Sequence, residues 1–170
     1  DLEQEFAWVS AAIDAAHAMG LRVAAHATEL EVARRMAQAG VDILVHSIED
    51  QPVDEGFIAL LTQKGIVYVT TLAVSEGYRK VLTQRLRLSY IDRRLGDPAV
   101  IASLDDLSER LSRYRPPPLL PDTGIALQNL ARLHAAGVLI AAGSDAGNIG
   151  TLHGPALHRE LELMAQAGLS

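Results

Sequence analysis

The chain of 170 residues contains no cysteine. That excludes a disulfide framework and any thiolate metal site, so a metal would have to be held by imidazole and carboxylate. Aromatic residues are scarce at 4%, against an apolar fraction of 49%. The core must therefore be built from Ala, Leu, Val and Ile, as in α/β proteins whose strands are buried on both faces. Basic residues are also in deficit, 15 Lys+Arg against 21 Asp+Glu for a formal net charge of −6. This balance argues against a nucleic-acid partner, which would require Lys and Arg gathered into a basic face. The most basic stretch, Arg79 to Arg94, alternates Arg with Leu and Tyr and reads as the solvated face of a helix. No apolar run approaches the roughly 20 residues that span a bilayer, and the acidic start DLEQEF lacks the basic region of a signal peptide. No membrane partner is expected, and a cytoplasmic location is favoured.

What is present is a repeat. An Ala-rich amphipathic segment, a Gly and a short β-branched run ending in a polar residue recur as AAIDAAHAMG-LRVAAHA, VARRMAQAG-VDILVHS, FIALLTQKG-IVYVTTL and LARLHAAG-VLIAAGSDAG, and RELELMAQAG-LS begins a fifth copy. Each copy reads as helix, turn, strand, with the Gly where a helix end needs a left-handed residue. The runs Leu21–His26, Ile43–His46, Ile66–Thr71 and Val138–Gly143 are short and nearly all apolar, as strands of a covered parallel sheet should be. Alternation with helices predicts right-handed crossovers and parallel neighbours. The third connection is far longer than the others. Helix is expected around Ser75 to Leu95 and again after Asp97-Pro98, followed by an extended stretch at Arg115-Pro116-Pro117-Pro118. The reading is an α/β chain forming half of a TIM-type (β/α)8 barrel, a single catalytic unit over residues 1–170 with a helical insertion at about 75–122. A whole barrel needs about 250 residues, so four units cannot close one.

In parallel α/β folds ligands meet the C-terminal ends of the strands. There the repeats place His26, His46, Thr70-Thr71 and Ser144-Asp145. A single His at a strand end is ordinarily satisfied by a backbone carbonyl. Two His and one Asp at equivalent positions of three repeats point instead to a divalent ion, zinc foremost, with a coordination position open for water.

The segments VAAHA, DILVHSIED, AAGVLIAAGSDAG and HGPALHRELELMAQAGLS resemble the second half of the amidohydrolase superfamily barrel, especially its imidazolonepropionase-like and prolidase-like hydrolases. The similarity weakens only from Ser75 to Asp122. The resemblance implies strands 5 to 8 of the barrel. It makes His26 and His46 metal ligands after the fifth and sixth strands, and Asp145 both a ligand and the catalytic base after the eighth. It implies hydrolysis of an amide, peptide-like or cyclic, through a metal-activated water, with one or two ions in a complete barrel and a small-molecule amide or dipeptide as substrate. The His-x-His pair and the strand-end lysine that the family also uses are not found: no His-x-His occurs, and Lys64 and Lys80 are the only lysines.

His153 and Thr71 are candidates for substrate contact, since loops after barrel strands face the pocket. His158 reads as a helix surface or packing residue, and His17 and His134 lie near helix C-termini at the opposite end. Glu49 and Asp50 read as solvated loop acids or as partners of His46. Two other readings compete. The glycine-rich run Gly143 to Gly147 could cradle phosphate in a metal-free barrel enzyme, although this leaves His26 and His46 unexplained. Alternatively, the chain is a non-catalytic half-barrel that associates with another chain. Four strands leave an inner face of Val, Ile and Ala uncovered, so the isolated chain is expected to form homo-oligomers, to pair with a missing half-barrel or to aggregate. Sedimentation of the 170 residues alone tests this: self-association is expected, and a monodisperse monomer would contradict it.

Overall fold

A computed structural model of the chain describes residues 2–111 and 123–170. In chain order it contains α1 (Leu2–Ala18), β1 (Ala24–His26), α2 (Leu30–Ala39), β2 (Ile43–Val45), α3 (Glu55–Lys64), β3 (Val67–Thr70), α4 (Leu72–Leu82), α5 (Tyr90–Leu95), α6 (Pro98–Leu111), α7 (Thr123–Ala135), β4 (Ile140–Ala142) and α8 (Pro155–Gln166). The strands form one parallel sheet in the order β1-β2-β3-β4, with every neighbour pair parallel. This is the pairing the repeat implies, with each strand shorter than the apolar run that announced it. The glycines act as expected: Gly20, Gly40, Gly65 and Gly137 all have positive φ at helix ends, and Gly40 and Gly65 return N–H bonds to the last turns of α2 and α3.

The register divides the sheet into two faces. Ala25, Leu44, Tyr68 and Ile140 lie side by side in one row, and this face belongs to the main core with Phe57, Leu61, Ile48 and Leu133 from the helices and loops. The adjacent row, His26, Val45, Val69 and Ala141, lies on the other face, where none of the four is fully buried. An uncovered inner face is what the half-barrel reading expects.

The insertion departs from the expected single helix over Ser75 to Leu95. Helix starts earlier, at Leu72, directly after the strand, and breaks over residues 83–89. Gln84 takes a left-handed φ of 56°, and Ser89 opens α5 with a capping box in which its hydroxyl and the Asp92 carboxylate each accept the other's backbone N–H. A capping box satisfies two orphan helix donors at once, so it restarts a helix where the periodicity alone suggested continuity. The expected extended run at Arg115 to Pro118 lies outside the described residues.

Two polar contacts anchor α4. Glu160 of α8 is fully buried, and its two carboxylate oxygens accept the backbone N–H groups of Leu72 (3.0 Å) and Ala73 (2.7 Å). It thereby caps the positive end of the α4 dipole. One turn further on, Glu76 accepts a two-pronged pair of bonds from Arg159 (2.8 Å each) and lies 2.9 Å from Lys80 Nζ. Burial alone would raise the Glu76 carboxyl, but the bonds from Arg159 and Lys80 outweigh it and hold the group at about 2. A carboxyl lowered in the fold stabilises fully above its ordinary value and loses that contribution as pH falls toward the folded value. Acidification from about pH 4.5 to about pH 2 should therefore remove on the order of 2 kcal/mol from the α4–α8 contact. Urea midpoints measured against pH should show this loss in the native chain and a flatter profile in Glu76→Gln.

Candidate active site

Three of the four strand ends meet through His26, His46 and Thr71. His26 is the last residue of β1, His46 follows β2, Thr71 follows β3, and Asp145 lies three residues beyond β4. The rings of His26 and His46 meet edge to face with centroids 4.3 Å apart. Strict alternation does not predict that meeting. His26 is in the inner row with Val45, so the next residue, His46, would point to the helix side with Leu44. A left-handed backbone at His46, φ 82°, breaks the alternation there. The turn is held by the His46 N–H bond to the Val69 carbonyl.

A side-chain bond then fixes the ring: His46 Nδ1 is 2.7 Å from the buried hydroxyl of Thr71. Satisfying Nδ1 in this way leaves Nε2 as the nitrogen available for a ligand. Burial holds the His46 imidazole below its usual value, and neighbouring His26 acts in the same sense, whereas the Asp145 carboxylate raises it. The carboxylate thus acts electrostatically on the His46 imidazole. Asp145 also has a left-handed backbone, φ 45°. Its Oδ2 accepts from Asn148 Nδ2 at 2.8 Å.

The other candidates sort as follows. Thr71 serves His46 directly, while Thr70 is wholly buried on the Tyr68 side of the sheet. His153 is exposed and packs on the loop after β4: a Cβ added to Gly147 would stand 3.1 Å from His153 Nε2. His158 is an exposed residue of α8 that helps to line a cleft of about 470 Å³ beside α4 and α5. Asp50 accepts the Leu30 N–H and so starts α2. His17 is 3.0 Å from Asp42, at the N-terminal end of β2 and away from the site. The glycine-rich run has a packing reason of its own, since a Cβ on Gly143 would come within 2.7 Å of a Val69 methyl.

Sequence reasoning passed over the residues that hold this rim. Asn129 of α7 is buried, donating to the Ile48 and Gln51 carbonyls and accepting from the Val53 N–H. The Ile48 N–H is bonded by the Tyr68 hydroxyl oxygen at 2.8 Å. Together they fasten the loop that leaves His46. Only Asn148, three residues after Asp145, had a local cue, the short spacing at which Asn side chains bond turn backbones.

Imidazole nitrogen and carboxylate oxygen are the donors that suit zinc and similar divalent ions, so the donor chemistry of His26, His46 and Asp145 fits such an ion. Among the described residues no group of three His, Asp or Glu is gathered closely enough to hold one.

Comparison with known proteins bears on the fold. No family model matches the chain, and no curated protein sequence matches it. Solved structures do. A Bifidobacterium longum protein described as a candidate prolidase matches with a TM-score of 0.61 and 26% identity, over 95% of this chain and 35% of its own. An Xaa-Pro dipeptidase with methionine bound in its active site gives 0.61 and 21%, over 95% and 32%. An amidohydrolase gives 0.60 and 19%, over 93% and 31%. The chain is thus an α/β chain with the architecture of a partial TIM-type barrel. The structures it resembles carry amidohydrolase and prolidase names, and the chain spans about a third of their length.

The strain at His46 is measurable. Glycine adopts φ 82° without a Cβ penalty and alanine does not. Both substitutions remove the bond to Thr71, so His46→Gly should be more stable than His46→Ala by about 1 kcal/mol in urea unfolding. Equal midpoints would mean that the backbone is not constrained there.

Proposed function

We propose that this chain carries part of the active site of a metal-dependent hydrolase that cleaves an amide bond, peptide-like or cyclic, with a dipeptide as the leading substrate class. The observation that carries the reading is the edge-to-face contact of His26 and His46, reached through a left-handed turn, with the Asp145 carboxylate acting on His46. Backbone strain of this kind is retained where a side chain must be placed against the local preference, and such places cluster at functional sites. The names of the structural neighbours support the same chemistry.

In this reading His26, His46 and Asp145 would be part of the ligand set of a divalent ion, zinc foremost, that the whole barrel completes. The ion supplies acidification of water and polarisation of a carbonyl. The chain's own residues do the rest. Thr71 keeps His46 in one orientation and directs its Nε2 toward the site. Asp145 takes the proton of the water that attacks the amide carbon, a task for which a carboxylate must lie within hydrogen-bond reach. His153, packed on Gly147, and the cleft beside α4 and α5 offer surfaces for the remainder of the substrate.

In the full-length protein Asp145→Asn keeps the shape and one possible ligand oxygen but removes the base. Turnover of Xaa-Pro dipeptides should fall by roughly 10²–10⁴ with the fold intact. If Asp145 merely shapes the loop before α8, Asn would serve about equally well. Near-normal turnover with an unchanged zinc content on the same sample would therefore end the catalytic assignment.

A further inference from the structure

The helix that begins the insertion is joined to the Asp145 carboxylate by two side chains with no assigned role. Contact starts at the backbone. A Cβ on Gly77 would lie 2.9 Å from the Ile149 carbonyl, and one on Gly150 would lie 2.9 Å from the Gly77 carbonyl. Glycine on both sides is what lets α4 approach the loop after β4 so closely. The next residue, Tyr78, then reaches that loop: its hydroxyl donates to Asn148 Oδ1 at 2.9 Å. The other end of the same amide, Nδ2, donates to Asp145 Oδ2 at 2.8 Å and, at 3.3 Å, to the Asp145 carbonyl.

The donor and acceptor roles in this chain are not interchangeable. A carboxylate only accepts, so Asn148 must face it with the amide nitrogen, and the amide oxygen is then directed at Tyr78, whose hydroxyl can donate. Reversing the amide would place oxygen against carboxylate. The orientation is therefore set at the carboxylate end, and the Tyr78 hydroxyl answers it by donating. Asp145 has a particular need of such a lock, because its left-handed backbone leaves it outside any regular element that would aim the side chain. The loop is also closed on itself, with the Gly147 N–H on the Thr151 carbonyl and the Thr151 hydroxyl on the Asn148 carbonyl, so Asn148 sits on a fixed base.

We propose that Tyr78 and Asn148 are positioning residues for Asp145, through which helix α4 of the insertion sets the orientation of the carboxylate. The proposal rests on the role given to Asp145 above, and its test separates the two. The first measurement needs no activity. In the chain itself the side-chain amide ¹⁵N–¹H resonances of Asn148 should be displaced from ordinary values and exchange slowly with solvent, and Tyr78→Phe, which keeps the ring and removes the hydroxyl, should return them toward ordinary values. Resonances unmoved by Tyr78→Phe would overturn the relay, whether or not the protein hydrolyses anything.

The second measurement is hydrolysis of leucyl-proline by the full-length protein. Tyr78→Phe and Asn148→Ala should each lower kcat by about 3-fold to 10-fold with KM within about twofold, as expected when one ordinary hydrogen bond is lost. The double variant should fall no further than Asn148→Ala alone, because both act through one path. Losses that multiply would overturn the proposal, as would losses that appear in KM only. Asn148→Asp supplies an independent arm. It keeps an acceptor for Tyr78 but turns a carboxylate on Asp145, so its kcat should fall further than that of Asn148→Ala, and a smaller loss would count against the relay. A wild-type protein inactive on the dipeptide would defeat the functional reading and leave the resonance test standing.

Discussion

A parallel strand delivers alternate residues to each side of its sheet, and this constraint governs where chemistry can appear in the molecule. On one side, Ala25, Leu44, Tyr68 and Ile140 join the main core. On the other, His26 shares its row with Val45, Val69 and Ala141. Two histidines reached by strands of this register would normally end on opposite sides, since His26 pairs with Val45 and not with His46. The left-handed residue at His46 removes the conflict, and the Val69 carbonyl and the Thr71 hydroxyl hold the result in place. Everything proposed for the site follows from that one turn.

The same constraint explains why α4 starts without a loop. Thr71 must stay close to β3 to bond His46, so the chain enters the helix at Leu72, and the first N–H groups of that helix are buried with no preceding side chain to cap them. Buried donors left without partners cost about 1–3 kcal/mol each. Glu160, 88 residues from Leu72 in sequence, satisfies two of them. The Glu76–Arg159 pair then ties the same two helices one turn further along. The insertion therefore leaves the sheet as a clamped helix, not as a free segment.

What was legible in the sequence is what depends on local rules. Helix-ending glycines, short apolar runs and polar strand ends gave the parallel order, and the similarity of the strand-end segments gave the barrel family whose fold the chain shares. What was illegible depends on partners far along the chain. Nothing near Glu160 announces that it caps a helix starting at Leu72, and nothing near Asn129 announces the Ile48 to Val53 loop. Tyr78 fell within the expected helix over Ser75 to Leu95 with no cue of its own, because its partner Asn148 lies 70 residues away. The break over residues 83–89 was hidden for a different reason: apolar spacing carries through it, and only the Ser89–Asp92 cap, a three-residue pattern, marks the restart. The turn at His46 was hidden most completely, since histidine is not a residue whose presence signals positive φ as glycine does.

A non-glycine residue in the left-handed region costs of order 1–3 kcal/mol and persists only where its surroundings over-determine it. His46 and Asp145 meet that condition differently. Beneath His46 is the apolar layer of Leu44, Tyr68 and Ile48, all at most 1% exposed, where each fully buried large side chain contributes about 1.5–3 kcal/mol and so offsets the strain of one turn. Asp145 is exposed and has no such layer; its loop is kept by hydrogen bonds among Gly147, Asn148 and Thr151 and by the glycine contact with α4. A cavity in the sheet core should consequently reach the histidine side of the site first, and loosening of α4 should reach the carboxylate side first. The two sides join at α4 itself, whose first residue follows Thr71 on His46 and whose Tyr78 bears on Asp145 through Asn148. Glu160 holds the start of that helix from a fully buried position, where burial pushes its carboxyl up and the N–H bonds from Ala73 and Leu72 offset only part of that rise. The fixed point that relates the imidazoles to the carboxylate is therefore a group that touches neither.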